Sequence, residues 1–198
     1  DITFVPGMDV TLAEGRATAR TLRAAGMNVD LAPVLDTPRP GSVLDAEGRG
    51  FGASAGRVAE LGTAFARGLE RGGVAAAAKH FPGLGAAPRN TDDAAVRVPV
   101  GAAELRATDR VPFAAAVRAG IPLVMLSSAV YPALDARPAV LSRRIATREL
   151  REGTGFGGVS ISDDLQTPAF ASYGGARGAA VRATRAGVDL LLFAQSFE

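Results

Sequence analysis

Five short apolar runs, each following a helix-like segment and most of them ending in polar residues, leave few folds open to this chain. The runs cover residues 29–35, 74–78, 123–126, 158–161 and 188–193. The first is interrupted by Pro33 and closed by Asp36. After an incoming loop over residues 1–10, Thr11-Leu12-Ala13-Glu14 fits a capping box and predicts a helix to Ala25, stopped by Gly26. Ser54 can cap a second helix with Val58, Leu61, Phe65 and Leu69 on one face, ended by Arg71-Gly72-Gly73. Residues 104–119 read as a third, kinked or restarted at Pro112. Ser142 opens a fourth through Leu150, and residues 173–186 are mostly helical. Apolar strands that alternate with helices imply a parallel α/β sheet covered on both faces.

Polar residues gather where the runs end: Asp36, Lys79-His80, Ser127-Ser128, Asp163-Asp164 and Gln195. In a (β/α)8 barrel those ends form one mouth, where active sites sit. In an open doubly wound sheet they would line a crevice. No G-x-G-x-x-G follows the first strand and no Walker A motif is present, which weighs against a nucleotide fold. Residues 37–52 are too long for a passive connection, and 86–97 form a second polar loop.

Lys79-His80-Phe81-Pro82-Gly83 holds the only Lys and the only His. Of the 22 basic residues the other 21 are Arg. Arg serves wherever a generic positive charge is wanted, so position 79 calls for a compact ammonium on a flexible stem. The alternative is a chance pairing, with His80 a hydrogen-bonded structural ring. The rest of the composition mainly excludes. Hydrophobic residues at 47% indicate a sizeable core. A net charge of +2 with sparse aromatics speaks against nucleic-acid binding. Without Cys there is no disulfide, thiolate site or Cys nucleophile. No apolar run is long enough to span a bilayer. No signal peptide is visible, and the compartment stays open between cytoplasm and cell envelope. No metal or cofactor is implied, because the lone His and scattered carboxylates show no ligand spacing.

Four motifs, in order, resemble glycoside hydrolase family 3, and within it the bacterial β-N-acetylhexosaminidases of cell-wall recycling. Ala32-Pro33-Val34-Leu35-Asp36 looks like A-P-V-L-D. Arg49-Gly50-Phe51-Gly52 is similar to R-S-F-G. Lys79-His80-Phe81-Pro82-Gly83 matches K-H-F-P-G, and Ile161-Ser162-Asp163-Asp164-Leu165 matches F-S-D-D-L. The resemblance covers nearly the whole chain. It implies a TIM-type barrel of which residues 1–198 form one partial domain: about five of eight strand–helix units, family strands 4 to 8. The first three strands would be absent, with a substrate-binding Asp from the third. Exposed edges would then favour self-association.

The activity implied is retaining hydrolysis of β-linked sugars, including N-acetylglucosaminides of peptidoglycan fragments. By resemblance Asp163 is the nucleophile, and Lys79, His80 and Arg49 bind the sugar. Asp164 becomes a partner of Asp163. Read from the residues alone, Asp163-Asp164 could instead cap the next segment and Arg49 could be a solvated loop charge. Asp36 is open between substrate binding and bonding loop amides. Two positions depart from the family. Leu84 stands where K-H-F-P-G-H-G has its second His, and the loop carrying the family's acid/base His reads Asn90-Thr91-Asp92. Asp92 can take the acid role if its pKa is raised, or the stretch is an Asx turn. Ser128 stands where the family has a His before Tyr131, and is a substrate-binding candidate that can hydrogen-bond but cannot hold a proton near neutral pH. Two further readings stay open: a non-catalytic sugar-binding homologue that has lost its acid, and a TIM-barrel lyase or aldolase with Lys79 forming a Schiff base.

Overall fold

A computed structural model describes residues 7–195. Five strands form one sheet in the order β1-β2-β3-β4-β5, every neighbouring pair parallel. They are β1 Val29–Asp30, β2 Ala75–Phe81, β3 Leu123–Leu126, β4 Val159–Asp164 and β5 Leu190–Leu192. Sequential parallel order makes each strand the neighbour of the next in the chain. This is the winding of a (β/α)8 barrel and not of a doubly wound sheet, whose order reverses at a switch point. The five strands form a curled half-barrel.

The helices are α1 Met8–Ala24, α2 Val43–Ala46, α3 Ala55–Arg71, α4 Ala102–Glu104, α5 Arg110–Arg118 and α6 Gly175–Ala186. α3 follows its sequence signals closely. Ser54 Oγ accepts the Arg57 N–H at 3.3 Å, Val58, Leu61 and Leu69 are buried, and Gly72 ends it. α1 starts a turn earlier than its capping box suggests. Gly7 is its N-cap, and the Thr11 hydroxyl donates back to the Gly7 carbonyl at 3.0 Å from inside the helix. The call of an incoming loop over residues 1–6 lies outside the described residues. Between α4 and α5 the chain makes a wide turn over Leu105–Asp109, in which Arg110 N–H reaches the Leu105 carbonyl. The break falls before Pro112, whose missing N–H disturbs the carbonyls one turn back. The fourth helix, Arg144–Glu152, is wide throughout and preceded by a tight turn, Ala139–Leu141. Its start is capped by Ser142 Oγ, which accepts Ile145 N–H at 3.2 Å. A tight helical stretch Pro168–Tyr173 precedes α6.

Two strands run differently from their apolar runs. β1 is only two residues long, because Pro33 cannot donate. The run still lies along β2, with Leu35 N–H bonding the Lys79 carbonyl at 2.6 Å and Lys79 N–H bonding that of Pro33 at 3.0 Å. β2 continues three residues past Ala78, so Lys79 and His80 sit in the strand itself. Beneath it Phe81 meets Phe113 edge-on at 5.4 Å between ring centres, both fully buried.

Candidate active site

The strand register brings the motifs to one end of the sheet. Phe81 pairs with Leu126, Leu126 with Ser162, and Asp164 with Leu192. Lys79-His80, Ser127-Ser128 and Asp163-Asp164 therefore end adjacent strands at one level.

Asp36 lies under this end, fully buried, and its carboxylate accepts throughout. The backbone N–H of His80 is 3.2 Å from each of its oxygens, His80 Nδ1 is 2.7 Å from Oδ2, and Leu84 N–H is 2.6 Å from Oδ1. A carboxylate only accepts, so Nδ1 carries the hydrogen and Nε2 is the ring's other pole. Leu84, where the family places a second His, is buried and contributes its backbone to this cradle.

A second buried group clamps the loop's exit. The Arg39 guanidinium forks onto Asp109, with Nη1 and Nη2 each 2.7 Å from one oxygen. Nη1 also reaches the Thr37 carbonyl at 2.8 Å, and Arg39 N–H bonds the Gly85 carbonyl at 2.9 Å. Gly83 and Gly85 pass between these groups. A Cβ at Gly83 (φ +130°) would stand 2.5 Å from that of Asp109, and one at Gly85 would collide with the Thr37 carbonyl. Close approach at two points requires both glycines.

The charges around the opening act on one another. Burial and the nearby Arg49 lower the pKa of Lys79, against the pull of Asp163, Asp36 and Asp30. Partial shielding from water, then the charge of Asp163, raises that of Asp92, with His80 and Arg49 opposing. Asp163, Asp92, Lys79, His80 and Arg49 thus share one electrostatic neighbourhood. Asp163 Oδ1 accepts Asp164 N–H at 3.0 Å, while Oδ2 has no protein hydrogen bond among the described residues. Asp164 Oδ1 takes the N–H groups of Gln166 at 2.9 Å and Ala194 at 3.3 Å, so Asp164 fastens the loop. Asn90 Oδ1 accepts Asp92 N–H at 3.0 Å, the Asx turn, which leaves the Asp92 carboxyl free to face outward. Arg49 pairs with Glu47 at 3.1 Å and stays half-exposed. Ser128 is buried, its hydroxyl without a protein partner among the described residues, and is far less open than the others.

Arg39, Asp109 and Asp30 escaped the sequence reading. The first two carry no motif signal, and their pairing depends on a fold that joins residues 70 apart. Asp30 stands in an apolar run, and that apolar company was its available signal. Among the described residues no three His, Asp or Glu side chains gather as a metal site would need, and no helix is long and apolar enough to cross a membrane.

The family description "Glycosyl hydrolase family 3 N terminal domain" matches residues 6–197, and the chain belongs to that family. It is 43% identical to an uncharacterized secreted glycosyl hydrolase of Arthroderma benhamiae over 93% of this chain and 54% of that protein. It is 36% identical to a β-hexosaminidase of Stenotrophomonas maltophilia, over 94% of this chain and 56% of the relative. The solved structure of a glycoside hydrolase family 3 β-N-acetylglucosaminidase from a Paenibacillus species superposes with a TM-score of 0.89 at 34% identity. It covers 94% of this chain and 36% of its own. The chain spans about half the length of the curated relatives it matches.

Proposed function

We propose that the protein carrying this chain hydrolyses β-linked N-acetylhexosaminides, including those of peptidoglycan fragments, with retention of configuration. Asp163 Oδ2 attacks the anomeric carbon while the bond to the leaving oxygen breaks, and that oxygen takes the Asp92 proton. Asp92, now a carboxylate, takes a proton from water. The water oxygen bonds to the anomeric carbon and the Asp163 ester breaks, which restores both carboxyls. Lys79 and Arg49 place positive charge around the reacting carboxylate and donate to sugar hydroxyls. His80 presents Nε2 to the sugar, and Asp36, with no exposed surface, acts by holding His80. Ser128 lies at the foot of the site.

One observation carries the reading. The Asp163 charge bears on both Lys79 and Asp92: it opposes the burial and the Arg49 charge that lower the Lys79 pKa, and it adds to the burial that raises that of Asp92. A carboxylate thereby has a cationic side chain and a carboxyl of raised pKa within its electrostatic reach. The test is labelling with a 5-fluoro N-acetylglucosaminide bearing a good leaving group, followed by peptide mass analysis. The expected adduct is on the peptide containing Asp163. An adduct on another residue, or turnover without one, refutes the assignment. Failure of both turnover and labelling, with the glycoside still bound, would favour the sugar-binding homologue.

A further inference from the structure

Four arginines from two separate elements converge on one small hollow away from the sheet's polar end. Arg137 precedes the tight turn Ala139–Leu141, Arg143 precedes the helix Arg144–Glu152, and Arg182 and Arg185 lie on α6. Together with Leu141 and Ala186 they line a volume of about 130 Å³. All four are exposed. The carboxylate beside the hollow, Asp135, is already engaged: Arg137 Nη2 is 2.9 Å away and the Ser142 hydroxyl 2.6 Å. Among the described residues Arg143, Arg182 and Arg185 form no ion pair. Arg182 Nε makes a long contact of 3.5 Å with the Tyr173 carbonyl.

A hollow of that size is narrower than the Debye length, about 8 Å at physiological salt, so these guanidiniums repel one another when it is empty of anions. The chain as a whole carries only +2, which makes this a local concentration of charge and not a reflection of the total. The hollow also continues at both ends. Arg137 and Arg143 are shared with a larger one of about 430 Å³ that reaches Arg144 and Arg148. Arg182 and Arg185 are shared with another of about 330 Å³ that reaches Arg177. The central hollow is a furrow between residues 137–143 and α6, and the outer two extend from it over residues 134–148 and along one face of α6.

We propose that this furrow binds a linear polyanion with repeating phosphate groups. A carboxylate presents its oxygens in one plane, whereas the tetrahedral oxygens of a phosphate meet forks from several directions at once, which suits four arginines around one hollow. Three hollows that share arginines fit a chain better than a single ion. No aromatic ring lines them, so the stacking on which single-stranded nucleic acid relies is missing. The proposal is independent of the hydrolytic reading.

The probe is inorganic polyphosphate, with binding followed calorimetrically at several salt concentrations. The triple variant Arg143→Gln/Arg182→Gln/Arg185→Gln should lose about tenfold or more in affinity, and its salt dependence should flatten by about two to three ions. A control of equal charge change on α1, Arg16→Gln/Arg20→Gln/Arg23→Gln, should bind as the parent does. Circular dichroism melting checks that both fold. If the first triple does not, Arg143→Lys/Arg182→Lys/Arg185→Lys replaces it and should lose a smaller but measurable part of the affinity. Equal losses in the two triples, or none in the furrow, would overturn the proposal. Polyglutamate binding as tightly would overturn the choice of phosphate, and single-stranded DNA binding more tightly than polyphosphate would overturn the reading that no base stacking is involved. Binding to phosphatidylglycerol vesicles but not to polyphosphate would assign the furrow to a lipid surface instead.

Discussion

Arg39 and Asp109 meet as a two-pronged ion pair, both contacts 2.7 Å, although Asp109 has no exposed surface. Burial pushes the Asp109 carboxyl up, and the Arg39 fork opposes it. Glu104 adds a weaker contact to Arg39 at 3.1 Å from the exposed side. The pair ties residues 37–39, the Gly83–Gly85 turn and the start of α5 together. Removing one partner strands a buried charge. Arg39→Ala should therefore cost about 3–5 kcal/mol of stability. Replacing both partners by apolar side chains of similar size should cost less than Arg39→Ala alone. Urea unfolding measures both, and a larger loss in the double variant would show that the fork is not what holds the turn.

Asp163→Asn should remove turnover of N-acetylglucosaminides by several orders of magnitude with little change in melting temperature. The side chain makes only one local contact through Oδ1, which an amide oxygen can keep. Steady-state kinetics and a thermal melt, run on the longest natural form of the protein that contains these residues, check both halves of the expectation.

Asp92 is expected to control the alkaline side of the pH–rate profile. Shielding and the Asp163 charge raise its pKa, so the acid stays protonated to higher pH than an ordinary carboxyl and activity falls as it ionises. Asp92→Asn should abolish that limb. It should cost about 10²–10⁴-fold on poor leaving groups and far less on activated aryl glycosides. Equal losses on both substrates would remove Asp92 from the acid role.

Asp36→Asn tests the support beneath His80. An amide can donate as well as accept, so Nδ1 no longer has to carry the hydrogen and the ring loses its fixed orientation. The loss in kcat/KM should be about 10²-fold, the scale of a displaced group, with a shifted pH profile. A purely structural role would lower the melting temperature and leave that profile in place.

Asp135 gives a prediction about stability alone. Burial pulls its pKa up, but hydrogen bonds from Arg137 and Ser142 outweigh it and hold the carboxyl at about 2. The unfolded value is about 3.9. The folded pKa is depressed, so the stabilisation is complete above about pH 4 and disappears as pH falls through about 2. The melting temperatures of the parent and Asp135→Asn should differ at neutral pH and converge over that interval. A gap independent of pH would contradict the assignment.

The sequence displayed the strand–helix alternation, the motifs and their order because each is local. α3 has its cap, its apolar face and its stop within 20 residues, and it forms as expected. What stayed hidden depends on distant partners. β2 runs on through Lys79 and His80 because residues 33–35 and 126 pair with it, which its own composition cannot reveal. β1 shortens for the reverse reason, since Pro33 withdraws a donor. Asp36 was left between two roles, and only its three donors, from His80 and Leu84, define what it touches. The positions of Asp163 and Asp92 are now described, but their roles still await the labelling and pH experiments.

The single lysine makes this chain chemically addressable. Lys79 carries the only ε-amine, half-buried, and burial with Arg49 nearby lowers its pKa and enlarges the fraction present as free amine. Within this chain, amine-directed reagents such as acyl esters or isothiocyanates have just one side chain to find, in the electrostatic neighbourhood of Asp163, and an α-amine is the competing target. A fluorophore or spin label attached there would report directly on whatever enters the opening, without engineering a cysteine.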